Sequence, residues 1–378
     1  MRTEHISLLP GSIGRQYELS ILHFGNENAG QKIYIQAALH ADELPGALVC
    51  YHLREQLLAL EAANRLNAHI VLVPMANPIG SAQTLHHNIS GRFDLATGRN
   101  YNRLTIDLYT LVQPILSEQA NALASDAAAN VRAIRQAMRQ ALAQYRPIDA
   151  VGILHHTLMQ LAFDADVVLD LHCDHHAHMY LYTLSGLWPV IEPLARYSGS
   201  TCQLMADESP ANGFDEALNM PWLKLQRDFP AANIPLACAA ATLELRGQRD
   251  ISHEHARQDS RAIIHYLIHR QAITADEHGI PALPELLAAP RPLTAVEGIL
   301  APVEGVVVFC VQPGQRVRAG DKVLDLVDPI RGTLTEVHCR NNGTVLCCNT
   351  NLPFAQTGAE LLTLSGDCPL PGGAWVSP

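Results

Sequence analysis

Between Lys32 and Arg270 short apolar runs alternate with longer stretches whose apolar residues recur at helical spacing. The runs at 33–39, 69–73, 166–171, 179–184 and 240–245 are the length of buried strands, and their alternation with helical stretches predicts a mixed, mostly parallel sheet with helices on both faces. Pro45, followed by Leu48, Leu53, Leu57 and Leu60, predicts a helix directly after the first strand. A long Ala/Gln/Arg-rich stretch over 105–144 predicts two helices interrupted at Pro114, as an insertion of about 105–146 on the domain surface rather than in the core. A further helix is expected over 254–270. The pattern then changes: Pro281, Pro284, Pro290 and Pro292 mark a linker, and β-rich runs at 305–311, 322–327 and 343–347 follow, separated by Gly and Pro turns. Two domains are expected, an α/β domain over 1–285 and a small all-β domain over 286–378.

Composition agrees with a folded, soluble chain. Hydrophobic residues make up 48% and charged residues 17% of 378, which is enough apolar material for a sizeable core and excludes a disordered chain. Acidic residues outnumber basic ones, 37 to 26, with no Lys/Arg-rich run, so neither nucleic acid nor an anionic membrane is an expected partner. The first ten residues lack the basic-then-apolar order of a secretion signal, and no stretch approaches the length of a membrane span, so a cytoplasmic protein is expected. Nine cysteines without C-x-x-C spacing fit reduced thiols. No heptad or apolar stripe makes an oligomeric state readable.

Candidate chemistry lies at two strand ends. His40-Ala41-Asp42-Glu43 closes the first strand and Asp170-Leu171-His172 the third; His, Glu and His form a donor set that suits a catalytic zinc with one position left open. Spacing alone leaves open a chance H-x-x-E match and a structural role for His172, one of 19 histidines.

More motifs follow in order. Ala38 to Gly46 (Ala-Leu-His-Ala-Asp-Glu-Leu-Pro-Gly), Asn77-Pro78-Ile79-Gly80, Gly91-Arg92-Phe93-Asp94, Asn100-Tyr101-Asn102-Arg103, Asp170-Leu171-His172 and Thr242-Leu243-Glu244-Leu245 together resemble the succinylglutamate desuccinylase/aspartoacylase family of the zinc carboxypeptidase clan, over about 30–270. The resemblance implies one Zn2+ per chain on His40, Glu43 and His172, Glu244 as catalytic glutamate, Arg92 as the arginine that stabilises the oxyanion, and Asn102 with Arg103 as a clamp for a substrate carboxylate. The interval from Arg92 to Arg103 is longer than in aspartoacylase itself, which makes Arg99 a competitor for the oxyanion role. The implied activity is zinc-dependent hydrolysis of the amide bond in a small N-acyl amino acid or related amine; a zinc carboxypeptidase acting on short peptides is the alternative. Asp170, on the strand face of His172, could bond near the metal or cap a turn. His175, His176 and His178 are expected at a polar rim rather than on a second metal, Arg246 and Arg249 in a loop, and Cys173 packed beside the site.

The segment 311–321 resembles a turn of lipoyl and biotinyl carrier domains. The hairpin that would carry the modified lysine reads Leu326-Val327-Asp328-Pro329-Ile330, without one, and Lys322 precedes the strand. A barrel-sandwich-like domain that borders the site is expected, with a non-catalytic carrier module as the lesser alternative.

Overall fold

The computed structural model describes residues 1–11, 13–118, 123–207 and 211–370. Its centre is a nine-stranded mixed sheet built from β1 (Arg2–Ser7), β2 (Glu18–Phe24), β3 (Lys32–Ala37), β4 (His69–Val73), β5 (Val167–Asp174), β6 (Tyr180–Thr183), β7 (Gln203–Met205), β8 (Ala239–Gly247) and β9 (Arg291–Pro292), in the order β1-β2-β4-β3-β5-β8-β6-β7-β9. The middle four strands, β4, β3, β5 and β8, are parallel, so their carboxyl ends share one edge. β2 and β6 flank them antiparallel.

The period-2 alternation of each central strand sends its two sets of side chains into separate cores. Ile33, Ile35, Leu169 and Leu171 pack under α1 (Pro45–Ala62), while Tyr34, Val71, Val168 and Ala240 face α2 (Leu108–Glu118), α3 (Ala127–Gln144) and α4 (Ala150–Ala162). α5 (Trp188–Ser198) and α7 (His253–His269) join α1, and α6 (Phe214–Asp228) joins the opposite layer.

The stretch expected to be a surface insertion is therefore core: Leu108, Val112, Leu116, Ile134, Met138 and Leu142 are buried in one apolar cluster. Its Ala-rich composition reports helix propensity, which is silent on burial. Nor does Pro114 divide it. Pro114 lies inside α2, and the break falls before Asp126, whose carboxylate accepts from the amides of Ala128 and Ala129 and so starts α3. The edge strand β1 and the short inner strand β7 carried no readable pattern, the first because it is largely solvated and the second because it has three residues.

Beyond β9, which still pairs with β7 of the large sheet, eight short strands follow: β10 (Val296–Leu300), β11 (Gly305–Phe309), β12 (Arg316–Val317), β13 (Lys322–Asp328), β14 (Thr333–His338), β15 (Gly343–Cys348), β16 (Phe354–Ala355) and β17 (Glu360–Gly366). They form two small sheets, β10-β17-β15-β12 and β14-β13-β11-β16, around a core of Val323, Leu324, Val345, Leu361 and Leu364. His176–Ala177 pairs with β15, which brings this unit against the carboxyl edge of the large sheet.

Candidate metal centre and active-site cleft

Local backbone features at the end of β3 launch the first donors. Ala38 adopts a left-handed conformation, φ 58°, that turns the chain out of the sheet. The following segment is pinned by Asn77, whose Nδ2 donates to the Leu39 carbonyl at 2.9 Å while its Oδ1 caps the short helix Pro78–Ser81. The Ala41 amide donates to the Gly91 carbonyl at 3.0 Å. A Cβ at Gly91 would stand 2.4 Å from the Asp42 nitrogen, so only glycine allows the loop bearing Arg92 to approach so closely. Glu43 ends this turn immediately before α1, where a helix N-terminus favours a carboxylate.

The second strand end adds the rest. Asp170, His172 and Asp174 alternate along β5, and Glu244 of β8 is registered directly beside His172. His40, Glu43 and His172 are each 3% exposed, and their donor atoms lie within 4.8 Å of one another. Nδ1 of His40 is 2.8 Å from Glu43 Oε1, and Nδ1 of His172 is 2.7 Å from Glu43 Oε2. The opposite ring nitrogens are also held: His40 Nε2 donates to Asn100 Oδ1 at 2.8 Å, and His172 Nε2 lies 3.1 Å from Asp170 Oδ2. Gln36 Nε2 donates to the other Asp170 oxygen at 3.0 Å, and the Tyr34 hydroxyl donates to Gln36 Oε1 at 2.8 Å. With protons on both Nε2 atoms, an ion between the rings and Glu43 would find both Nδ1 lone pairs free to ligate it, the tautomers that metal ligation requires.

Charge follows this geometry. Burial disfavours the Glu43 carboxylate, but the His40 and His172 imidazoles more than offset it and hold Glu43 well below the usual range. Burial lowers His40. For His172 burial acts the same way, yet Asp170 and Glu43 outweigh it and the imidazole is raised. Glu244 is raised well above an ordinary carboxylate, by burial first, with Glu43 and Asp174 repelling its charge against the pull of His172 and Arg92. Its Oε2 is buried and has no hydrogen-bond partner among the described residues.

Of the two competing arginines, Arg92 reaches the donors, its Nη1 lying 3.3 Å from Glu43 Oε1 and 3.4 Å from His40 Nδ1. Arg99 is paired with Asp149 and does not line the cleft. Asn102 and Arg103 do line it: Asn102 Oδ1 accepts from the Phe214 amide at 2.8 Å, and Arg103 Nη1 donates to the Asn102 carbonyl at 2.8 Å. Arg246 pairs with Asp259 instead of entering the cleft, and Arg249 is exposed. Cys173 donates its amide to Glu43 at 3.2 Å, while burial raises its thiol pKa. His175, His176 and His178 belong to neither of the two metal-competent groups among the described residues; His175 contacts Asn351 and His178 packs on Gly314, both in the C-terminal unit.

These residues surround a cavity of about 430 Å3. One wall comes from the C-terminal unit, with Cys347, Asn349, Leu352, Glu360 and Leu362. Several groups at the site have no assigned part in the sequence analysis. Asn100, which backs His40 without lining the cavity, lies within a quoted motif; Asp174, which does line it, was findable, two positions beyond His172 on the same strand face. Asp215, pushed up to about 8 by burial and by Glu216 and Asp170, carried no signal because α6 was not recognised.

An α/β chain that gathers a donor set, a carboxylate and two arginines into one cleft at the strand ends is built as an enzyme. Its family follows from comparison: the catalytic-domain model of the succinylglutamate desuccinylase/aspartoacylase family matches residues 29–270, and the chain belongs to that family of deacylating hydrolases. A solved protein of this family from Shewanella amazonensis SB2B is 26% identical, with a TM-score of 0.80 over 97% of this chain and 98% of that one. One from Shewanella frigidimarina NCIMB 400 is 24% identical, TM-score 0.81, covering 97% of both chains. The product-bound ectoine utilization protein EutE (DoeB) of Ruegeria pomeroyi shares the fold at 14% identity, TM-score 0.66, over 97% of this chain and 94% of that one. No curated protein matches the sequence. No helix among the described residues is long and apolar enough to cross a membrane.

Proposed function

We propose that the chain is a zinc-dependent amidohydrolase that cleaves the amide bond of a small N-acyl amino acid or related N-acyl amine, releasing a carboxylate and a free amine. The donors fit zinc: two buried Nδ1 atoms and a carboxylate converge, the far ring nitrogens are held by Asn100 and Asp170, and the chain leaves one side open to the cavity. When bound there, zinc supplies a Lewis acid that polarises a carbonyl and makes water nucleophilic near neutral pH.

The chain's residues supply the rest. Glu244 removes a proton from the attacking water as the O–C bond forms, and returns it to the amine nitrogen as the C–N bond breaks; its raised pKa suits a group that must do both. Arg92 stabilises the carbonyl oxygen as it becomes anionic. Arg103 and Asn102 hold the substrate's carboxylate, and the cleft wall excludes bulk water. The observation that carries this reading is the registration of Glu244 beside His172, with a buried carboxylate oxygen left for a proton-bearing ligand.

Peptide trimming would use the same groups. The C-terminal unit, read as barrel-sandwich-like, supports the small-substrate reading because it walls the cavity within reach of the donors. A panel of N-acyl amino acids and of di- and tripeptides, offered to zinc-loaded protein, tests the choice: hydrolysis of acyl amino acids with little on peptides is expected, and the reverse order would make the chain a carboxypeptidase.

A further inference from the structure

We propose a second metal site at the opposite edge of the large sheet, formed by His23, His69 and Glu27, for a divalent transition ion of the zinc class. His23 lies near the end of β2 and His69 begins β4; these strands run antiparallel with Leu22 opposite Leu72 and His23 opposite Val71, so the two histidines are diagonal neighbours. That edge carries the amino end of β4, whereas the cleft lies at the carboxyl ends of its parallel neighbours.

The rings stack with centroids 5.3 Å apart, and His23 Nδ1 lies 3.0 Å from His69 Nε2. Both are almost buried, at 7% and 9% exposure. Glu4 of β1 accepts from His23 Nε2 at 3.1 Å, which puts the proton on Nε2 and leaves the Nδ1 lone pair facing His69; a carboxylate on the far nitrogen is the usual support of a ligating histidine. Glu27, in the turn after β2, brings a third donor within 4.8 Å of the other two. Arg2 bonds both Glu27, at 2.7 Å, and Glu4, at 2.8 Å, and so orients the two carboxylates. Burial lowers the pKa of both imidazoles, keeping the neutral form that binds metal.

Distances are close to what an ion needs. Two imidazole nitrogens at about 2.0–2.1 Å from a tetrahedral zinc stand about 3.3 Å apart, so the pair has to open only slightly. A neutral histidine pair by itself is not the argument, because His52 and His253 also meet at 3.0 Å, yet no carboxylate completes a donor set there among the described residues. The consequence would be structural: an ion on these residues ties the antiparallel β1–β2 pair to β4 and the parallel core.

The test uses full-length protein in which His40→Ala with His172→Ala removes the cleft donors, so it does not depend on activity or on the amidohydrolase reading. Native mass spectrometry and thermal melting with added zinc should show one ion bound and a melting point raised by a few degrees. Adding His69→Gln should abolish both. Should that variant fold poorly, Glu27→Gln, at an exposed position, should weaken zinc binding at least about tenfold. No zinc on the cleft-deleted protein, or zinc retained unchanged after His69→Gln and Glu27→Gln, would overturn the second site.

Discussion

The two edges of the large sheet each hold two histidines and a glutamate, yet they differ in almost everything else. At the carboxyl edge all three donors are buried, both imidazoles have a partner on the far nitrogen, and a cavity with Glu244, Arg92 and Arg103 adjoins them. At the amino edge one donor is exposed, and one imidazole has a carboxylate partner. Donor type thus makes a metal site possible at both edges. What distinguishes the carboxyl edge is the company its donors keep: a buried carboxylate, a neighbouring arginine and a shaped enclosure, the groups the proposed hydrolysis would use.

The sharpest way to break this contrast is His172→Ala, which should reduce hydrolysis to background and remove the cleft metal while the His23–His69 edge keeps its binding; metal analysis alongside turnover reads both. Loss of metal from both edges together would mean that they are not independent. Next in size, Arg103→Ala should leave the metal in place and lower kcat/KM roughly 10- to 100-fold, mostly through KM, because one charge-assisted pair to the substrate is lost. An unchanged KM for substrates with and without a carboxylate would remove Arg103 from the clamp.

The support behind the ligands gives a subtler prediction. Asp170→Asn keeps the shape but removes the charge beside His172 Nε2, and should weaken zinc binding at the cleft by about 10- to 100-fold in a chelator competition. Equal zinc affinity in variant and parent would assign Asp170 to packing alone.

A further effect, on stability rather than on turnover, concerns the scaffold. His155 Nε2 donates to the Tyr101 carbonyl at 2.7 Å and so steadies the segment that bears Asn100, Asn102 and Arg103. Burial, with the Arg99 cation adding to it, lowers His155 to about 4, so between that value and its unfolded pKa near 6.5 the unfolded chain holds more protons. Its contribution is complete above about pH 6.5 and is lost as pH falls towards 4, amounting to at most about 3 kcal/mol. Urea midpoints across this window should fall more steeply for the parent than for His155→Gln; parallel curves would contradict the assignment.

Much of the site was legible because its chemistry sits on strongly patterned strands. His40, Glu43, His172 and Glu244 follow apolar runs whose period fixes both element and face, and the motif order matched the family over nearly the residues now assigned to it. Arg92 could not be separated from Arg99 by spacing, since the choice depends on Gly91 folding against Ala41 and Asp42 while Arg99 turns to Asp149. The helices over 105–144 were misplaced for a related reason: propensity identifies a helix, but only tertiary packing decides that Leu108, Ile134 and Met138 are core. The cleft wall from β15 and β17 was unreadable in detail because it arises from a pairing between residues 176–177 and 347–348, far apart in the chain. The His23–His69 pair was hidden likewise, 46 residues apart on strands without shared spacing.

The most direct test of the central claim compares zinc-loaded parent and Glu244→Gln protein for hydrolysis of an N-acyl amino acid, with zinc content measured on the same samples. A retained zinc and a fall in kcat of about 10²- to 10⁴-fold, with little change in KM, is the predicted result; a variant that turns over as fast as the parent would contradict the account of this cleft as one in which Glu244 carries the proton.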